Sequence, residues 1–145
     1  IDKELQENSG TVAEFVNKIL TDAIDLKASD IHIEPRLKNH VVRYRIDGIL
    51  RHALDLPAKI EQPVLTRFKV LSRMNIAEHR RPQDGTFTIT YKDKEFDFRI
   101  NSLPVSGKEK MVIRVLAPAV TLNSSEKEII FKRLKNLSRV QTVLF

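Results

Sequence analysis

The sequence predicts an α+β fold: a single domain with an antiparallel sheet and helices packed on it. Three observations predict it. Three stretches of helical periodicity alternate with runs in which apolar and polar residues swap at every position. The connections between those runs are mostly tight turns, which only antiparallel neighbours can use. The chain has 145 residues, 41% of them apolar, enough for one core and too apolar for general disorder.

The segment TVAEFVNKILTDAIDLK places Val12, Phe15, Val16, Ile19, Leu20, Ala23 and Ile24 on one helical face. Thr11 reads as its N-cap, with Glu14 as the capping-box partner. Residues 1–10 then read as an N-terminal tail. DIHIEP reads as a short strand, Ile31 and Ile33 facing one way, His32 and Glu34 the other. HVVRYRIDGILRHAL gives two strands around Asp47–Gly48, a strong hairpin signal. After Pro57 a second helical face runs through Leu65, Phe68 and Leu71. Pro63 within it implies a start near Gln62 or a broken first turn.

IAEHRRPQDG reads as irregular, with Gln83, Asp84 and Gly85 in a turn. TFTITY is a strand, KDK a turn, EFDFRINSL a strand, PVSGK a turn and EKMVIRVLAP a last strand ended by Pro118. Beyond a linker from Ala117 to Asn123, a third helix is expected near Ser125 to Leu137, and VQTVLF could begin another strand.

Charge and composition narrow the functional classes. The chain carries 25 Lys and Arg against 19 Asp and Glu, a formal charge of +6. That suits an anionic partner, or simply a lysine-rich surface. The absence of cysteine excludes disulfides, thiol catalysis and Cys-based zinc sites, and fits a reducing compartment. No apolar run approaches the roughly 20 residues of a membrane helix. His32, His40, His52 and His79 are scattered without metal-ligand spacing, so a metal site is not expected. His32 and Glu34 share a strand face and could form a satisfied surface pair. Neither a GxxxxGK[ST] nor a GxGxxG loop occurs, and four glycines could not cradle a triphosphate unaided. Nucleic acid is disfavoured as a partner: aromatics are only 6%, with no Trp, so a stacking platform is missing.

Two places carry more chemistry. In FDFRINSLPVSGKEKMVIRV, Arg99 lies on the polar face of its strand, and Arg114 shares a face with Val112 and Leu116. An arginine between two aliphatic residues needs an anion or a route to water. Asp97 and Glu109 are the nearest carboxylates that could serve. In EHRRPQDG, Arg80 and Arg81 with Gln83 and Asp84 form either an exposed loop or a dock for another surface.

ASDIHIEP, VRYRIDGIL, LTRFKVLSRMNIAEHRRPQDG, FDFRINSLP and MVIRVL occur in that order at consistent distances. Together, over about residues 11–118, they resemble the N-terminal domain of the ATPases that drive type II secretion and type IV pilus assembly. The resemblance implies a PAS-like fold for 11–118, followed at 119–145 by a linker and the start of a truncated motor domain. It implies a parent that is a homohexamer on the cytoplasmic side of the inner membrane, using ATP and Mg. This piece, lacking Walker A and Walker B motifs, would hold no cofactor and would not be an enzyme by itself. Opening on Ile1 rather than Met, it reads as part of a longer protein. Implied partners are the RecA-like motor domain of the same or a neighbouring subunit, an inner-membrane platform protein, and an anionic lipid surface. By resemblance, Arg99 and Arg114 are the arginines that reach phosphates bound by the motor, and Arg80, Arg81, Gln83 and Asp84 belong to the interdomain interface. Relatives often carry Arg where Lys110 stands, which puts a third phosphate contact in doubt.

Two other readings remain. A stand-alone basic module would bind nucleic acid or anionic lipid through Lys59, Arg67, Lys69, Arg73, Arg80 and Arg81. A PAS-like sensor would hold a ligand in its core, although no polar cluster in the sequence is suited to hold one.

Overall fold

The computed structural model describes residues 2–116 and, beyond them, residues 129, 132 and 133; its side chains are described from Val12 onward. The third helix, the linker and the motor-domain start expected at 119–145 fall almost wholly outside the described residues. The elements run α1 (Asp2–Asp25), β1 (Asp30–Pro35), β2 (His40–Ile46), β3 (Ile49–Asp55), α2 (Glu61–Leu71), β4 (Gln83–Tyr91), β5 (Lys94–Val105) and β6 (Lys108–Val115). The strands form one six-stranded sheet in the order β3-β2-β1-β6-β5-β4. Every neighbouring pair is antiparallel. The fold is the predicted α+β sheet with helices on one face.

The sheet needs only one long-range pairing. Four hairpins are local, and β1 against β6 joins the N-terminal three strands to the C-terminal three. The Asp47–Gly48 turn takes positive φ at both positions, as the primed hairpin turns require. Lys92–Asp93 does the same without glycine.

The alternation seen in the sequence divides the sheet into two faces. Ile31, Ile33, Val42, Tyr44, Phe98, Ile100, Met111 and Ile113 point inward and are buried. They meet Val16, Ile19, Leu20 and Ala23 of α1 and Val64, Leu65 and Phe68 of α2 in one core cluster. Fully burying each of the larger side chains contributes about 1.5–3 kcal/mol. Phe87 stacks on Phe98 at 5.0 Å between ring centroids. The Tyr44 hydroxyl, carried into the core by its strand, donates to the Ile19 carbonyl at 2.7 Å.

Two local expectations are corrected, at α1 and at Gln83–Gly85, and the start of α2 near Gln62 holds. Helix α1 begins at Asp2, so Thr11 lies inside it and is not its N-cap, and most of the stretch read as a tail belongs to the helix. Helix α2 begins at Glu61 after Ile60. Pro63 falls in its first turn, where a missing N–H costs nothing. Gln83, Asp84 and Gly85 are not a turn but the start of β4, paired with Ser102, Asn101 and Ile100. Gly85 is required there by close approach: a Cβ would stand 2.7 Å from both the Cβ and the carbonyl oxygen of Ser72. A glycine chosen for packing had been taken for a glycine chosen for a turn.

Candidate functional site

Among the described residues the second sheet face carries no helix, and it presents a row of charged side chains. Cross-strand register sets its layout. Asp30 lies opposite Arg45 on one side and Arg114 on the other. Arg114 lies opposite Arg99 in turn. One row across four strands therefore reads Arg45, Asp30, Arg114, Arg99. The arginines that sequence spacing singled out are immediate neighbours.

Asp30 is nearly buried, its side chain 13% exposed, and it is the row's only carboxylate. It accepts from the Ser29 hydroxyl at 2.9 Å. Arg114 Nε lies 3.4 Å from its Oδ1, and Arg45 Nε lies 3.6 Å from its Oδ2. The expected alternatives for Arg114 are taken elsewhere: Asp97 accepts from Thr88 and Glu109 from Lys69. Arg114 escapes its aliphatic neighbours by reaching water, with a side chain 70% exposed. Arg99, also exposed, makes no side-chain hydrogen bond or ion pair among the described residues. Like charges directly opposite each other on a sheet repel, and one carboxylate shared with Arg45 leaves this repulsion only partly offset. Asp30, Arg99, Asn101, Val112 and Arg114 line a cavity of about 190 Å³. The Asn101 amide oxygen is buried with no hydrogen-bond partner.

Farther along the same face the charges are closed up. Glu34 accepts from Arg43 Nη2 at 2.9 and 3.0 Å. Arg36 and Lys110 approach it at 3.5 and 3.7 Å. Burial pushes the Glu34 carboxyl up, but the Arg43 hydrogen bond and charge, with Lys110, hold it below its ordinary value. Lys110 is thus turned to Glu34 and does not line the Arg99–Arg114 cavity. His32 comes within 3.5 Å of Glu34, yet its Nδ1 is buried without a hydrogen bond. The satisfied surface pair expected for these two does not form, because Arg43 already occupies Glu34. Burial, then the Lys110 charge, lower the His32 pKa.

A second ionic cluster lies on the helix side. Lys69 is 2% exposed and donates to Glu109 and to the Glu78 carbonyl, each at 2.9 Å. Glu109 also accepts from Ser102 at 3.0 Å and contacts His79. His40 Nε2 donates to the Glu109 carbonyl at 3.0 Å. This removes Lys69 from the basic surface of the stand-alone reading. The cluster also anchors the loop before β4. Gln83 completes that anchorage, accepting from the Asn75 amide at 2.8 Å and donating to the Asn75 carbonyl at 3.0 Å. Arg80, Arg81 and Asp84 are exposed. They make no side-chain ion pair among the described residues. The Gln83 side chain holds the loop that presents them.

Other candidates carry less. A cavity of about 560 Å³ lies at the end of α1, lined in part by Ile24, Tyr91, Phe96 and Val115. It is beside the core rather than inside it. Among the described residues no three His, Asp or Glu side chains converge as a metal site, and no helix is long and apolar enough to cross a membrane.

Sequence reasoning found both arginines and missed Asp30 and Asn101. Alternation in SDIHIEP puts Asp30, His32 and Glu34 on one face, which is a legible signal. That β1 lies next to β6, and so Asp30 next to Arg114, is long-range and has no local trace.

The architecture is an open α+β sheet with a cationic row on the face that no described helix covers. Its fold is similar to that of the Legionella pneumophila ATPase DotB, with a TM-score of 0.53 at 16% identity, covering 80% of this chain and 34% of that one. At that identity the likeness concerns the fold. The sequence settles the family. The family described as Type II/IV secretion system protein matches residues 5–142, and the chain belongs to it. It is 44% identical over 114 residues to the type IV pilus assembly ATPase PilB of Acinetobacter baylyi, covering 78% of this chain and 20% of that protein. It is 42% identical over 105 residues to the type II secretion system protein E of Xanthomonas campestris pv. campestris, covering 72% and 18%. The chain thus spans about a fifth of the length of these curated relatives.

Proposed function

We propose that this chain is the arginine-donating domain of a secretion or type IV pilus assembly ATPase. In this reading Arg99 and Arg114 project onto the phosphates of a nucleotide held by a RecA-like motor domain of the same or a neighbouring subunit. The observation that carries it is the cross-strand Arg114–Arg99 pair, where, among the described residues, no helix covers the face, Arg99 has no ion-pair partner and Arg114 is held at a single point. Two adjacent guanidiniums short of counter-charge are suited to the oxygens of a polyphosphate. They would offset charge on a transferring phosphoryl group without losing their own protons. The name of the A. baylyi relative supports ATP as the nucleotide, with Mg as its counter-ion.

The exposed Arg80, Arg81 and Asp84, held out by Gln83, form the interdomain contact in the same proposal. Closure of the domain on ATP and release after hydrolysis would drive rigid-body motion against a membrane platform protein. The parent would be a cytoplasmic homohexamer, peripheral on the inner membrane. The domain alone would not turn over ATP.

The test is ATP turnover by the full-length protein carrying Arg114→Ala. A fall of roughly a hundredfold or more is expected, the scale for losing one stabiliser of transition-state charge. Turnover equal to wild type would exclude the role. The stand-alone basic module loses weight because Lys69 is buried in an ion pair.

A further inference from the structure

Asp30 has no task in the function proposed above, and its surroundings suggest one. It stands on β1 between two cationic neighbours, and the register holds it there from both sides. Its contacts to them are weak by the standard of this same sheet face. Glu34 takes Arg43 at 2.9 and 3.0 Å, whereas Asp30 meets Arg114 and Arg45 at single points, 3.4 and 3.6 Å away. Arg114 is mostly exposed, so releasing it costs little. Its Nε reaches Asp30, and its terminal Nη atoms make no hydrogen bond with a described residue. One carboxylate among Arg45, Arg99 and Arg114 leaves the row cationic, so Asp30 attenuates the site without neutralising it. The adjoining cavity, about 190 Å³, has room for several water molecules or one tetrahedral oxyanion. The Asn101 amide oxygen buried in its wall is unpaired, so the polar lining is incomplete in the free chain.

We infer that Asp30 is an internal counter-anion that occupies Arg114 in the free chain and competes with incoming phosphate for it. Binding is then an exchange, in which Arg114 leaves a shared carboxylate for a more highly charged phosphate. The occupied arginine is held along its strand row instead of sweeping through solvent, and anions of low charge displace Asp30 poorly. Asp30 acts in this way only if Arg114 is the phosphate contact proposed above.

The test uses the 145-residue chain and inorganic tripolyphosphate, titrated at fixed ionic strength, with the arginine Nε–H resonances as readout. Asp30→Asn keeps the shape and removes the charge. It is expected to bind tripolyphosphate roughly tenfold tighter, the scale of removing one negative charge a few ångströms from the ligand in a partly solvated site. Arg114→Ala and Arg99→Ala should each weaken binding. If both arginine variants weaken it while Asp30→Asn is unchanged or weaker, Asp30 is a structural partner only, and the arginine proposal stands. If the arginine variants bind like wild type, the arginine proposal fails and the exchange fails with it. Thermal unfolding of each variant controls for folding; should Asp30→Asn not fold, Asp30→Ser removes the same charge and is read by the same criteria.

Discussion

The two ionic groups of this domain each centre on one carboxylate among basic side chains and behave in opposite ways. On the helix side, Glu109 is surrounded by Lys69, Ser102 and His79 and is almost out of water. On the other side, Asp30 is shared between two arginines at long distance, and a third arginine has no partner among the described residues. The first cluster spends its charge internally and locks α2, β5, β6 and the loop before β4 together. The second leaves positive charge over. The difference teaches that ion pairing is diagnostic of function here only when it is incomplete. A buried pair that satisfies itself is structure; the row that stays cationic is the one we propose as a site.

Breaking the closed cluster should have the largest effect. Lys69→Met removes the cation and strands Glu109 in the interior, with a loss of about 3–5 kcal/mol expected for a broken buried pair. Chemical denaturation would show this as a lower midpoint at unchanged slope. A loss below about 1 kcal/mol would place the pair with ordinary surface salt bridges and dissolve the contrast. Gly85→Ala comes next. The new Cβ would sit 2.7 Å from Ser72 atoms, one of them backbone, and overpacking of this kind costs about 1–3 kcal/mol. Thermal unfolding should register it, and relief by Ser72→Gly in the double variant would confirm the clash.

A smaller effect should appear with acid. Burial pushes the Glu109 carboxyl up, but hydrogen bonds from Lys69, His79 and Ser102 hold it below its ordinary 4.5. A carboxylate depressed in the folded state stabilises fully above its unfolded value and loses that contribution as pH falls through its folded value. The melting temperature should therefore hold down to about pH 5 and then decline. Glu109→Gln should start lower and decline less steeply. Parallel curves for the two proteins would mean that Glu109 is not a source of the acid sensitivity.

The closed and open clusters were unequally legible in the sequence. The strands were readable because alternation marks a one-sided sheet, and Phe98, Ile100, Met111 and Ile113 fall on the buried face as their spacing requires. The arginines were readable because Arg114 interrupts an apolar face. Lys69 was not. It sits on a helix where Phe68 and Leu65 already fill the apolar stripe, and a lysine beside such a stripe is ordinarily solvated. Its burial follows from Glu109, forty positions away, and no local pattern encodes that. Gly85 misled for the same reason, since its constraint comes from Ser72 on another element. Arg114 and Arg99 could be picked out one at a time, but their adjacency to Asp30 depends on β1 lying next to β6.

The smallest predicted effect sharpens the comparison most. Arg99→Ala and Arg114→Ala should change folding stability by no more than about 0.5 kcal/mol, as expected for exposed side chains with little pairing. Arg99→Ala could even stabilise slightly, because it removes one of two like charges set opposite each other. Denaturant midpoints of the isolated chain would decide it, measured at low and at moderate salt. With Arg99 absent, the salt dependence of stability should flatten, since salt no longer screens the repulsion between the two guanidiniums. A loss above about 1 kcal/mol for either arginine would mean that the row is bound into the fold as tightly as Lys69. The open face would then be a second structural cluster, and the charge left over for an incoming phosphate would not be there to use.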